Sequence, residues 1–140
     1  VSVRIRAFRE EDTQPVVTLW HDAGLTRPWN DPHRDIERKL AVQRELFLVA
    51  VDDGDVVGTV MGGYDGHRGW LYYLATADTH RGRGVGAALV AEVERMLLAM
   101  GCPKVQLMVR PDNAGARGFY AALDYEPFDT WATGKRLIED

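Results

Sequence analysis

Glycines at alternate positions mark the segment where chemistry is most legible: H80-R-G-R-G-V-G-A87 places Gly82, Gly84 and Gly86 between a strand-like run and a long amphipathic helix. Without Cβ atoms such a segment turns tightly, and its successive N–H groups converge at the helix N-terminus. A concavity of that kind binds phosphate or pyrophosphate. His80, Arg81 and Arg83 add donors and positive charge around it. A flexible turn packed against a sheet is the plainer reading of any one glycine, but alternation before a helix favours the phosphate cradle. Two nucleotide readings compete. The string G82-R-G-V-G-A87 satisfies the dinucleotide pattern, which should open repeated βαβ units with an acidic residue about 20 positions on. Here hairpin-like sequence precedes it, one further βα unit follows, and Asp112 stands too far along. A phosphate-loop NTPase would need G-K-[ST], which the chain lacks.

Arg81, Gly84 and Gly86 fill the spacing Arg/Gln-x-x-Gly-x-Gly/Ala, which resembles the acetyl-coenzyme-A signature of the GNAT superfamily of N-acetyltransferases. Downstream, N113-A-G-A116-R-G-F119-Y120 resembles the family's Asn-x-x-Ala-x-x-x-Tyr segment. The stretches R27-PWNDP, DIERK and GTVMGGYDGHRG look like a small bacterial subgroup known only as acetyltransferases. Two departures stand out. Leu74-Ala75-Thr76-Ala77-Asp78 replaces the usual L-x-V-x-P strand, and Asp124-Tyr125 replaces a Gly-aromatic pair; Asp tolerates a left-handed backbone better than most residues. The resemblance implies that acetyl-CoA is co-substrate, its pyrophosphate held by main-chain groups of Gly82, Arg83, Gly84, Val85, Gly86 and Ala87, with Arg81 alongside. It also implies that backbone N–H groups of Leu74, Ala75 and Thr76 serve the thioester carbonyl, which requires a bulge and a splay in the sheet. Asn113 and Ala116 would adjoin the pantetheine arm, although capping explains Asn113 as well. Tyr120 would be the general acid toward the leaving thiolate; a half-buried core tyrosine is its structural alternative.

Acyl transfer to an amine needs a neutral amine, a donor where oxyanion charge develops and a proton for the thiolate. Direct attack in a ternary complex needs no enzyme nucleophile, which suits a chain whose only Cys, Cys102, lies between Gly101 and Pro103. Trp29, Asn30 and Asp31 in one loop, and Tyr64, Asp65 and His67 in a glycine-bounded turn, are acceptor-side candidates, with Tyr72 or Tyr73 beside them. Asp31, Asp65, His67 and the tyrosines stay open as bases, and an amine of lowered pKa can lose its proton to water. No H-E-x-x-H, calcium-loop or multi-cysteine pattern exists, so no metal is expected. The acceptor implied is a small-molecule amine or a peptide N-terminus. A coenzyme-A-binding regulatory module without transfer activity is the alternative.

These residues must be carried by ordinary globular elements. The 140 residues are 46% apolar and 27% charged, with a net charge of -4. That balance suits one domain over residues 1–140 and does not suggest a nucleic-acid or membrane partner. No apolar run reaches a membrane span and no signal-peptide pattern opens the chain, so the cytoplasm is expected. Alternation in VRIRAF predicts a first strand, and Asp12 a helix cap before Val16, Leu19 and Trp20. Asp31-Pro32 starts a second helix. Leu46–Val51 and Val56–Met61 are strands around a D-D-G-D hairpin, and the glycines of residues 62–69 read as a turn before a strand over Trp70–Ala77. A helix to Gly101, a strand over Val105–Val109, a helix over Ala114–Leu123 and strand-like sequence over 125–138 complete the order βααβββαβαβ(β). The expected fold is α/β, GNAT-type, a mixed six- or seven-stranded sheet with helices on both faces. By the same resemblance a homodimer is in view.

Overall fold

The computed structural model describes residues 3–140. Its elements are β1 (Val3–Ala7), α1 (Thr13–Asp22), α2 (Pro32–Leu40), β2 (Phe47–Asp52), β3 (Asp55–Tyr64), β4 (Gly69–Thr76), α3 (Val85–Ala99), β5 (Val105–Gln106) and α4 (Ala114–Ala122). The sheet order is β1-β2-β3-β4-β5. The first four strands pair antiparallel, and β5 joins β4 in parallel. A parallel neighbour needs a crossover, and α3 supplies it.

Side-chain alternation divides the core. Phe47 and Val49 of β2 pack with Phe8, Val16, Leu19, Trp20 and Ile36 beneath α1 and α2. Leu48 and Ala50 pack with Leu89, Val90, Val93 and Leu97 of α3 on the other face. Burial on both faces explains why β2 reads as a continuous apolar run. Asp53 and Gly54 join β2 to β3 with φ of 50° and 85°, the left-handed pair that an Asp-Gly hairpin turn requires.

The class and the two-sided helices match expectation, but among the described residues the sheet has five strands, not six or seven. Residues 125–138 make no ladder despite their strand-like composition, and β5 is shorter than Val105–Val109. Gly62 and Gly63 lie inside β3, and the turn contracts to residues 65–68. A Cβ at Gly62 would come within 2.6 Å of Val93 Cγ1, and one at Gly69 within 2.9 Å of Cys102 Sγ. These glycines clear the approach of α3 rather than bend the chain. Asp12 does not cap α1; its buried carboxylate accepts from Arg6 at 2.7 and 3.0 Å and from the Arg9 N–H at 2.8 Å.

Candidate active site

Gly82 and Gly84 take φ of 75° and 81°, and Gly84 is the N-cap of α3. A Cβ at either would meet nothing within 4 Å, so the turn opens to free space. The first backbone bond of the helix runs from Ala88 N–H to Gly84 C=O, 3.0 Å. Among the described residues, no N–H from Gly82 to Ala87 donates to a protein group. The helix dipole adds partial positive charge at this point. Gly86 lies where a Cβ would be 3.3 Å from the Phe119 ring and 3.5 Å from Thr76 Oγ1. The turn, the end of β4 and α4 therefore meet at one place. Arg81 pairs with Asp78 at 2.8 Å on the surface, and Arg83 is exposed. His80 is committed elsewhere: Nε2 lies 2.7 Å from Asp52 Oδ2, and Nδ1 lies 2.7 Å from Thr79 Oγ1. That pair ties the turn to the β2–β3 hairpin.

The β4–β5 ladder covers only Gly69↔Val105 and Trp70↔Gln106. Beyond it, among the described residues, Leu71 to Thr76 pair with no strand on that side, and α4 comes up to the end of β4 through Phe119. The β3–β4 register shifts within this stretch: Thr59 lies opposite Ala75 but Met61 lies opposite Tyr72, so Val60 faces both Tyr73 and Leu74. This is a β-bulge, and Tyr73 takes φ of 52° in it. Three contacts hold Tyr73 there. Its ring stacks on Trp20 with centroids 3.8 Å apart; its C=O accepts from Thr59 Oγ1 at 2.8 Å; its hydroxyl donates to Asp35 at 2.7 Å. Trp20 Nε1 in turn donates to Thr59 Oγ1 at 2.9 Å, inside the core.

Tyr120 lies on α4, half-buried, edge-on to Phe119 and Tyr125 with centroids 5.0 and 5.5 Å away. Burial pushes its phenol up to about 12, which keeps it a proton donor. Asn113 caps α4, its Oδ1 accepting from Ala116 N–H at 3.0 Å, and Asp124 takes the left-handed turn after the helix at φ 69°.

The acceptor-side candidates separate into two groups. Asn30 donates to Asp35 and, at 3.2 Å, to the Tyr73 hydroxyl, so its loop reaches the bulge. Asp31 caps α2 through His33 N–H at 2.9 Å and gives its own N–H to Asp140 at 2.9 Å. Trp29 is exposed beside them. By contrast, Asp65 closes the β3–β4 turn by accepting from His67 and Arg68 N–H groups at 2.8 and 2.7 Å, which hold its carboxyl below the ordinary range. His67 is exposed in that turn, and Tyr64 is bound to Gln43 through its backbone. Tyr72 is exposed beside Trp70 on β4. Asp35, Thr59, Arg136 and Asp140 escaped the sequence reading. Each acts through a partner far along the chain, and none stands in a local motif. Among the described residues no cluster of His, Cys, Asp or Glu gathers as a metal site, and no helix is long and apolar enough to cross a membrane.

The chain matches the acetyltransferase (GNAT) family over residues 7–125. It is 54% identical over 138 residues to an acetyltransferase of Pectobacterium atrosepticum, covering 99% of this chain and 98% of that one. Among solved structures it is similar to AAC(6')-Iy in complex with a bisubstrate analogue, at a TM-score of 0.80, 19% identity and coverage of 99% and 100%. It is also similar to Ard1 from Thermoplasma volcanium, at a TM-score of 0.72, 26% identity and coverage of 88% and 82%. The glycine turn, the bulged and splayed β4 and the placement of α4 thus sit in a chain that belongs to the GNAT family of acetyltransferases.

Proposed function

We propose that the protein, acting as one domain, transfers an acetyl group from acetyl-CoA to a primary amine of a small molecule or a peptide N-terminus by direct attack in a ternary complex. The observation that carries this reading is the convergence of unpaired amides at Gly82–Ala87 with the splayed edge of β4 and with α4. The turn would hold the pyrophosphate with its N–H groups, and the arm would run along Leu74, Ala75 and Thr76 toward the bulge. Backbone N–H groups there would meet the carbonyl oxygen as negative charge develops on it. The amine lone pair forms the new C–N bond, the C–S bond breaks, and the electron pair leaves on sulfur. Tyr120 would supply the proton for that thiolate, while the excess proton on nitrogen leaves to water.

Gly84→Arg tests the cradle. Its side chain would occupy open space, not displace protein, so folding survives apart from backbone strain of about 1–2 kcal/mol at a positive φ. The expected result is acetyl-CoA affinity lowered by about 100-fold or more by titration calorimetry, the loss of several charge-assisted hydrogen bonds. Unchanged affinity in a folded variant overturns the assignment. Thiol release on adding amines separates transfer from binding alone.

A further inference from the structure

A shallow, open depression, or cleft, of about 490 Å³ lies between the loop of Trp29 and the C-terminal stretch, lined by Trp29, Arg38, Lys135, Arg136, Leu137 and Ile138 among others. Two side chains, Asn30 and then Tyr73 itself, stand between it and the bulged backbone. Asn30 donates to the Tyr73 hydroxyl at 3.2 Å, and its Oδ1 accepts from Arg136 Nη2 at 3.0 Å. The cleft wall holds three cationic side chains and no carboxylate. The carboxylates behind it are already engaged. Asp35 accepts from Tyr73, Asn30 and Arg38. Asp140, with its side chain 2% exposed, accepts from Arg38 at 2.6 Å and from Asp31 N–H. Asp31 is taken up by the α2 cap and faces Arg34 at 3.7 Å.

The cations are not used up in the same way. A guanidinium offers five N–H donors, and those of Arg38 and Arg136 bound to protein groups leave others over. Lys135 makes no ion pair among the described residues. Exposed Trp29, Leu137 and Ile138 give the same cleft an apolar wall. A cationic rim over an indole and two aliphatic side chains suits an anion on a short carbon stem. It suits a polycation less well, because three cations and no carboxylate line the wall itself, although exposed Glu139 follows Ile138 in the chain.

We propose that this cleft is the acceptor subsite and that the acceptor is a small amine that also carries a carboxylate, as a free amino acid does. The inference rests on the transferase reading above. The carboxylate binds at Lys135 and Arg136, the stem lies against Trp29, and the amino group is presented past Asn30 toward Tyr73 and the thioester.

The test uses the full chain saturated with coenzyme A, titrated with free L-amino acids, with the carboxamide of each, and with spermidine as a polycation. At least one amino acid is expected to bind saturably and about tenfold tighter than its carboxamide, the size of one charge-assisted contact. Lys135→Gln, an exposed change, should weaken the acid by about that factor and leave the carboxamide unmoved; Arg136→Gln should do the same where the variant stays folded. Equal binding of acid and carboxamide, tighter binding of spermidine, or no saturable binding by any amino acid overturns the proposal. Failure of acetyl-CoA itself to bind the unmodified chain would instead bring down the transferase reading.

Discussion

Tyr73 carries a left-handed backbone, which costs a non-glycine residue about 1–2 kcal/mol. Such strain persists only where surrounding contacts over-determine it, and it gathers at functional sites. Here the indole of Trp20, the hydroxyl of Thr59 and the carboxylate of Asp35 supply those contacts. Burial, then Asp35, raises the Tyr73 phenol above its ordinary range, so it remains a donor to that carboxylate. Thr59→Val keeps the shape and removes the hydroxyl, leaving the Trp20 indole N–H without its acceptor and the Tyr73 carbonyl without a donor. One buried and one part-buried polar group left unmatched should lower stability by about 2 kcal/mol in urea titration, and thiol release should fall beyond what that loss explains. Tyr120 makes a different demand. With its phenol pushed up to about 12, it stays protonated throughout pH 6–10. Tyr120→Phe should therefore lower turnover about 100-fold and evenly across that range, with acetyl-CoA affinity within about twofold. A turnover loss confined to the alkaline side would remove the phenol from the acid role. The same raised value fixes a stability trend. Its contribution is complete below pH 10, the phenol's unfolded value, and is lost as pH climbs toward 12.

At the scale of elements, what could be read from sequence was what neighbours in sequence decide. The turn from Gly82 to Gly86 and the start of α3 are consecutive, so their glycines announce them. The Asp53-Gly54 hairpin and the Asn113 cap are legible for the same reason. The bulge was not, because it depends on how β3 and β4 align, and Val60 carries no mark of facing two residues. Asp35 lies 38 positions before Tyr73 on a helix where any polar residue would look like surface. Glycine itself misled at residues 62 and 69. In a strand it signals either a bend or a close approach, and only the position of α3 decides between them. Gly62→Ala makes the decision measurable. A Cβ 2.6 Å from Val93 Cγ1 forces the β3–α3 contact apart. Overpacking of this kind should cost about 1–3 kcal/mol, read as a lowered urea midpoint with an unchanged slope. Were residue 62 in a free turn, the same change would be neutral or mildly stabilising.

Across the whole molecule, the two faces of the sheet divide the labour. The α3 face anchors the glycine turn, whereas the α1–α2 face carries Trp20, Asp35 and the loop of Asn30. The far end of the chain closes that second face. Asp140 joins Arg38 and the Asp31 N–H across sequence separations of 102 and 109 residues, and Arg136 reaches Asn30. Contacts so distant cannot be seen in sequence patterning: residues 125–138 read as strand, whereas in the structure Arg136 and Asp140 strap the loop of Asn30 and Asp31. The strap depends on charge. Arg38, then the Asp31 N–H, hold the Asp140 carboxyl down at about 2. A depressed carboxyl contributes its stabilisation above its unfolded value, near 4, and loses it as pH falls toward 2. Asp140→Asn should reproduce at neutral pH what acid does to the unaltered chain. The Asp31 amide, protected by the Asp140 carboxylate, should exchange with solvent about tenfold faster, while core amides such as those of Val49 and Val60 keep their rates. Faster exchange throughout would mean that the strap supports the entire fold. An unchanged Asp31 rate would mean that the loop holds its shape without the strap, leaving α2 and Tyr73 to set its position alone.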